Sequence, residues 1–304
     1  MTTLISILLS DILPIFVIAA VGYLLERRVS GGVKALSSIS FHALSPCLIF
    51  NLLVTSAVRA DDAARMAAFC VLLICIMGVI ARLVAGLLHL EPKTRTSFIL
   101  TIMISNSGNY AMPVILFAMG REGLSYATIY FVASAVVTYS LGVFIAMHGN
   151  HGFRKAASGL FRIPALYALA AAAIILVTHT PVPAAVMRPV GMLSDAAIPM
   201  MIVVLGMQLK RATIPARPAA VLIAAAISLL VAPLIGVLLT WGLGLSGLAQ
   251  KVAIVASAMP AAVVTTVMAL EFDLDSSFVT SVVFVSTLLS PVTLVLLLAY
   301  LQSH

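Results

Sequence analysis

Apolar runs of about twenty residues follow one another along nearly the whole chain, separated by short clusters of Lys, Arg, Gly and Pro. A helix needs about 20 apolar residues to cross the hydrocarbon core of a bilayer. In lipid every backbone N–H and C=O must be satisfied within the protein, so such runs form helices. The runs fall at 4–25, 34–54, 66–88, 97–119, 124–147, 160–179, 187–209, 217–242, 248–270 and 277–300. Only Gly120-Arg121-Glu122-Gly123 divides the fourth from the fifth. The expected product is an all-α integral membrane protein with ten transmembrane helices.

Composition agrees. Hydrophobic residues make up 62% and charged residues 9% of the 304 residues, where a soluble chain carries about 25% charge. The net charge of +7 does not indicate nucleic-acid binding, because its Lys and Arg sit in short loops rather than in a basic stripe interleaved with aromatics. Cys47, Cys70 and Cys75 lie inside apolar runs without metal-ligand spacing and read as small hydrophobes. The first run has no basic residues before it and has Arg27 and Arg28 after it. It is expected to be a retained membrane helix rather than a cleaved signal.

The basic residues also orient the chain. Arg27, Arg28, Lys34, Lys93, Arg95, Arg154, Lys155, Arg162, Lys210, Arg211 and Arg217 flank the odd-numbered loops. Arg59, Arg65, Arg121, Arg188 and Lys251 flank the even ones. The positive-inside rule then places odd loops in the cytoplasm and both termini outside a plasma (inner) membrane.

Prolines recur at matching places in the two halves. Pro14 and Pro164, Pro46 and Pro199, and Pro113 and Pro260 are each separated by close to half the chain. Five spans per half force the second half to enter from the opposite side, giving two inverted five-helix repeats. The expected units are 1–148, a cytoplasmic linker at 149–159 (GNHGFRKAASG, without Arg162), and 160–304.

Two Met-Pro dipeptides, Met112-Pro113 and Met259-Pro260, fall inside the fourth and ninth runs. Proline in a helix interior removes a donor and clashes with the preceding turn. At membrane depth that disturbance is tolerated only where protein or a water-filled cavity satisfies the freed groups. Such a pair of interrupted helices is a pointer to a transporter binding site. Before the first lies Ser105-Asn106-Ser107-Gly108-Asn109-Tyr110, an expensive polar passage. The predicted geometry is a helix ending near Asn106, a short extended crossing, and a half-helix starting at Pro113. The N-terminus of a half-helix binds carboxylate through free N–H groups and its dipole. Expected substrate-binding residues are Asn106, Gly108, Asn109, Tyr110, Met112 and Pro113, with Ser257, Met259 and Pro260 in the second copy. The alternative is that the Asn residues only satisfy neighbouring helices.

At these residues the chain resembles the auxin efflux carrier family. The resemblance runs over all ten spans. It is carried by Asn106-Ser-Gly-Asn-Tyr-Ala-Met-Pro113, Phe41-His-Ala-Leu-Ser-Pro46-Cys-Leu-Ile-Phe50, Ala196-Ala-Ile-Pro199 through Leu205-Gly-Met-Gln-Leu209, and Ala258-Met-Pro260 through Ala269-Leu-Glu-Phe272. It implies a scaffold part and a transport part, spans four and nine crossing at their prolines, and elevator-like secondary transport of an organic anion. A homodimer is plausible on the same ground. Two departures bear on the substrate: Ala111 stands where relatives commonly have Gly, and Val264 where many bacterial ones have Asn.

Ionisable groups inside spans are functional suspects. Asp11, His42, Arg82 and Asp195 qualify, with Asp195 and His42 the candidates for proton coupling; an interfacial acid and an interhelical hydrogen bond are the bland alternatives. Arg82 can snorkel to the surface. Asn51, Gln208 and Thr265 are candidates for lining the path. No HExxH or GxSxG motif supports an intramembrane enzyme, and no cofactor motif is present. The expected function is a carrier for a small organic anion, with the lipid bilayer as its other partner. A sodium-coupled carrier of the bile-acid-symporter type, a passive channel and an intramembrane enzyme are the alternatives.

Overall fold

The computed structural model describes residues 2–26, 28–29, 32–56, 58–147, 163–210 and 217–303. The expected linker at 149–159 and Arg27, Arg154, Lys155, Arg162 and Arg211 lie outside the described residues. Within them the chain is all-helical, apart from one isolated β-bridge. The helices are α1 (Leu4–Leu25), α2 (Gly32–Thr55), α3 (Ala60–Leu87), α4 (Pro92–Met103), α5 (Ser107–Ala146), α6 (Pro164–Thr178), α7 (Ala184–Leu209), α8 (Pro218–Gly242), α9 (Gly247–Ser257), α10 (Val264–Glu271) and α11 (Ser276–Ser303). Seven of them, α1, α2, α3, α5, α7, α8 and α11, are long and apolar enough to cross a membrane.

The shorter helices have local causes. The fourth and ninth runs are each divided, so neither half spans alone. In α5, Gly120 takes φ +69° and ψ −167°, a conformation that strains any residue with a Cβ. The helix turns an elbow there: the limb 107–119 is the second half of the predicted fourth run, and the limb beyond it is the fifth.

Prolines mostly bend the ladder rather than end it. Besides Thr138–Gly142, which no proline closely follows, five-residue π-helical turns occupy Leu8–Ile12, Ser40–Leu44, Ser107–Ala111 and Ile227–Val231. Each ends just ahead of a proline: Pro14, Pro46, Pro113 or Pro233. A widened turn relieves the clash with the carbonyl four residues back. In three of them the N–H after the turn reaches five residues back: Leu13 to Leu8, Ser45 to Ser40, Ala232 to Ile227. Expecting Pro113 to start a half-helix is therefore corrected: it lies inside a helix that already runs from Ser107.

The helices sort by contact into two groups. α1 packs on α7, and α2 packs on α6 and α7. The second group joins α3 to α4, α5 and α8, α5 to α9, and α11 to α4, α8 and α10. In the first group the crossing of α1 and α7 is very close, with Gly22 against the Val203 backbone and Gly206 against the Ala19 backbone. Glycine allows it because no side chain separates the backbones.

Candidate functional site

The two interruptions meet. α4 ends at Met103, and Ile104 is extended (φ −108°, ψ 100°). α9 ends at Ser257 and α10 begins at Val264. Between them the Asn106 N–H donates to the Pro260 carbonyl at 2.8 Å and the Ala262 N–H donates to the Ile104 carbonyl at 2.9 Å. Ser105 and Ala261 thus form an antiparallel bridge. The Ala261 N–H donates to Ser286 Oγ of α11 at 3.2 Å. Backbone groups freed by the two breaks satisfy one another, which is how extended chain survives at membrane depth.

A cavity of about 280 Å³ lies beside this bridge. Its walls come from both helix groups: Ser37, Ser40, Phe41 and Ser45 of α2, Met201, Val204 and Gln208 of α7, Phe131, Ser134, Thr138 and Tyr139 of α5, and Ala262 to Val264 with Val267. Its floor is Ile104 to Asn109. Two helix N-termini therefore border it, at Ser107 and at Val264. N–H groups in a first turn have no partner in their own helix and carry the positive end of the dipole. Among the described residues that line it there is no Asp, Glu, Lys, Arg or His.

Asn106 is the best-placed side chain. It precedes the first turn of α5 and is 5% exposed, and its Nδ2 has no hydrogen-bond partner. Ser37 Oγ, Ser40 Oγ and Gln208 Oε1 on the same walls are also buried and unpartnered. Buried polar atoms are normally paired, and four exceptions around one cavity point to something that fills it.

Of the residues expected from sequence, Asn106, Gly108, Asn109 and Gln208 line this cavity. Tyr110 does not; it is fully buried, its hydroxyl accepts from Ser290 Oγ at 2.8 Å, and its ring meets Phe16 edge-on at 6.3 Å. Met112 and Pro113 are buried in α5. Pro260 serves the bridge through its carbonyl. Thr265 Oγ1 donates to the Ala262 carbonyl at 2.5 Å. Ser257 and Met259 line a separate cavity of about 10 Å³, with Ser105, Tyr130 and Ser228.

The remaining candidates lie elsewhere. Asp195 is exposed and accepts from Arg121 Nη2 at 2.7 Å. His42 Nδ1 lies 3.0 Å from the Ser38 carbonyl in the same helix. Asn51 Nδ2 donates to Ser194 Oγ at 3.1 Å, tying α2 to α7. Sequence reasoning missed Ser37, Ser40, Ser134 and Thr138. Their one legible signal is helical spacing, three apart in α2 and four apart in α5, which puts each pair on one face.

Comparison with known proteins points to a membrane transporter. A family model described as "Membrane transport protein" matches residues 7–160 and 153–298. A protein named "Uncharacterized transporter" from Methanothermobacter thermautotrophicus is 30% identical over 292 residues, 93% of this chain and 95% of the relative. Another of that description from Methanocaldococcus jannaschii is 24% identical over 292 residues, 92% of this chain and 94% of the relative. With the family model covering nearly the whole length and the paired breaks in place, the chain is a multi-pass membrane transporter and belongs to the membrane transport protein family, that of the auxin efflux carriers.

Proposed function

We propose that this transporter is a secondary carrier of a small organic anion, a mono- or dicarboxylate. The anion binds at the crossed breaks and the two helix groups alternate its access. One observation carries the reading: the unpartnered Asn106 amide stands in a cavity flanked by two helix N-termini and free of acidic side chains. An amide donor and N–H groups favour a carboxylate over a cation. The helix pieces read as ten crossings in two inverted repeats, split at 149–159, with α1, α2, α6 and α7 as scaffold and the other helices as the moving part. Elevator-like sliding of one group against the other fits a cavity walled by both.

Ser37, Thr138 and Gln208 lie toward helix ends that border the first, fifth and seventh loops. Those loops are rich in Lys and Arg, so this conformation is open to the cytoplasm on the positive-inside reading.

The test is counterflow in proteoliposomes with a panel of carboxylates, beginning with lactate and succinate. Losing a hydrogen bond to a charged group costs about 1.5–3 kcal/mol, so Asn106→Ala is expected to lower saturable counterflow roughly 10- to 100-fold. Wild-type counterflow with no carboxylate, or unchanged counterflow in Asn106→Ala, overturns the reading.

A further inference from the structure

Among the described residues one charged side chain is buried: Asp11, 8% exposed. It lies in the π-helical turn Leu8–Ile12 of α1. That position is ~10 Å along the helix from its start at Leu4, within the apolar span. The carboxylate accepts from Ser10 Oγ at 2.6 Å. The ion pairs Lys93 with Asp273, Arg121 with Asp195, and Arg217 with Glu91 do not include it.

Among the described residues, the elements packed on it supply no spare cation. Besides the rest of α1, whose titratable residue in the span is Tyr23, the turn packs on the Met112–Val137 part of α5 and on α11. α11 carries Tyr300 as its titratable residue. The α5 segment carries Arg121, Glu122, Tyr126 and Tyr130, and Arg121 is engaged by Asp195. Tyr110, one turn before that segment, is committed to Ser290. Asp11 therefore sits on a scaffold helix, facing two helices of the other group, at the contact that must shear if the groups slide.

A carboxylate with no cation inside a membrane protein is costly, and such groups mark proton or ion pathways. We propose that Asp11 is a proton-binding site that couples transport to the proton gradient. The step is a simple protonation, carboxylate plus proton giving carboxylic acid, with the proton released on the opposite side. One proton moving with a monocarboxylate makes transport electroneutral. The inference rests on the carrier reading above.

The experiment uses wild type, Asp11→Asn and Asp11→Glu in proteoliposomes, with the carboxylate of the lactate–succinate panel that gives the highest wild-type counterflow. A gradient of one pH unit is worth ~1.4 kcal/mol per proton and sustains at most about tenfold accumulation. Wild type and Asp11→Glu are expected to accumulate the probe several-fold under that gradient and to lose it with a protonophore. Asp11→Asn is expected only to equilibrate it, while its counterflow at equal pH stays within about twofold of wild type. A carboxyl band in the acid-minus-neutral infrared difference spectrum, lost in Asp11→Asn, reads the same proton without any substrate.

Wild-type accumulation by Asp11→Asn, an unresponsive wild type, or an unchanged infrared band overturns the proposal. So does loss of counterflow in Asp11→Asn that Asp11→Glu fails to restore, since Asp11 then serves packing. Absent wild-type counterflow with every carboxylate strikes the carrier reading instead, and the infrared band still decides whether Asp11 binds the proton.

Discussion

Tyr110 and Asn106 sit four residues apart in one polar passage, yet the fold gives them different work. The Tyr110 hydroxyl is sealed against Ser290, and Ser290 Oγ also lies 2.8 Å from the Thr287 carbonyl. Removing that hydroxyl forfeits about 1 kcal/mol of hydrogen bonding and leaves Ser290 with a partner. Tyr110→Phe is therefore expected to lower the thermal midpoint in detergent by a few degrees and to keep counterflow within about twofold of wild type. A larger loss of transport at full stability would place Tyr110 on the substrate path. Amides were legible as site candidates because an Asn or Gln in an apolar span has too many polar atoms for its own helix to satisfy. Hydroxyls were not. Thr101, Thr128 and Ser140 donate to carbonyls three or four residues back in their own helices, so a Ser or Thr in a span carries no message by itself. Ser37 and Ser40 differ from these only in geometry that the sequence does not display.

The helices show why a proline is an ambiguous mark in a membrane span. Pro260 lies in the extended crossing and gives its carbonyl to Asn106, whereas Pro113 is absorbed by a π-helical turn. The pairing of Pro113 with Pro260 by spacing located the right spans, but the bridge pairs Ser105 with Ala261. The first break thus lies before its proline and the second contains it. The elbow at Gly120 was visible in advance from a four-residue polar gap. The α1–α7 contact was not, because glycines are common in membrane helices and only the fold shows which ones touch. A Cβ added at Gly206 would lie 1.7 Å from the Ala19 carbonyl oxygen, and one at Gly22 would lie 2.0 Å from the Val203 oxygen. These are backbone atoms, so the helices themselves must part. Overpacking of this kind costs about 1–3 kcal/mol or more. Gly206→Ala is expected to lower the detergent unfolding midpoint by several degrees, while Gly86→Ala, with nothing within 4 Å, serves as the neutral control. Equal midpoints for the two variants would refute the close crossing.

At the scale of the whole molecule, among the described residues, Arg121 with Asp195 is an ion pair that joins the two helix groups. Lys93 with Asp273 and Glu91 with Arg217 stay within the group of α3, α4, α5 and α8 to α11, or its connecting segments. Arg121 and Asp195 join the elbow of α5 to α7, one residue from the Asn51–Ser194 bond between α7 and α2. On the orientation proposed from the loops this pair lies toward the outer side, away from the cavity. On the alternating access proposed above, holding the outer ends together favours the state in which the cavity opens inward. Its side chains are 71% and 66% exposed, so solvent screens the attraction and the pair is worth only ~0.2–1 kcal/mol. That is a shift of about 1.5- to 5-fold in the ratio of two conformations, enough to tune a carrier without locking it. Spin labels at exposed Leu83 of α3 and Tyr167 of α6, after replacement of Cys47, Cys70 and Cys75, would read that ratio as the weights of two distance populations. Arg121→Ala and Asp195→Ala are each expected to move it away from the inward-open population by that factor. The double variant should move it no further than either alone, because one interaction is being removed twice. Raising the salt concentration should shrink the effect. Additive shifts, or none, would mean that the pair joins the groups without biasing them.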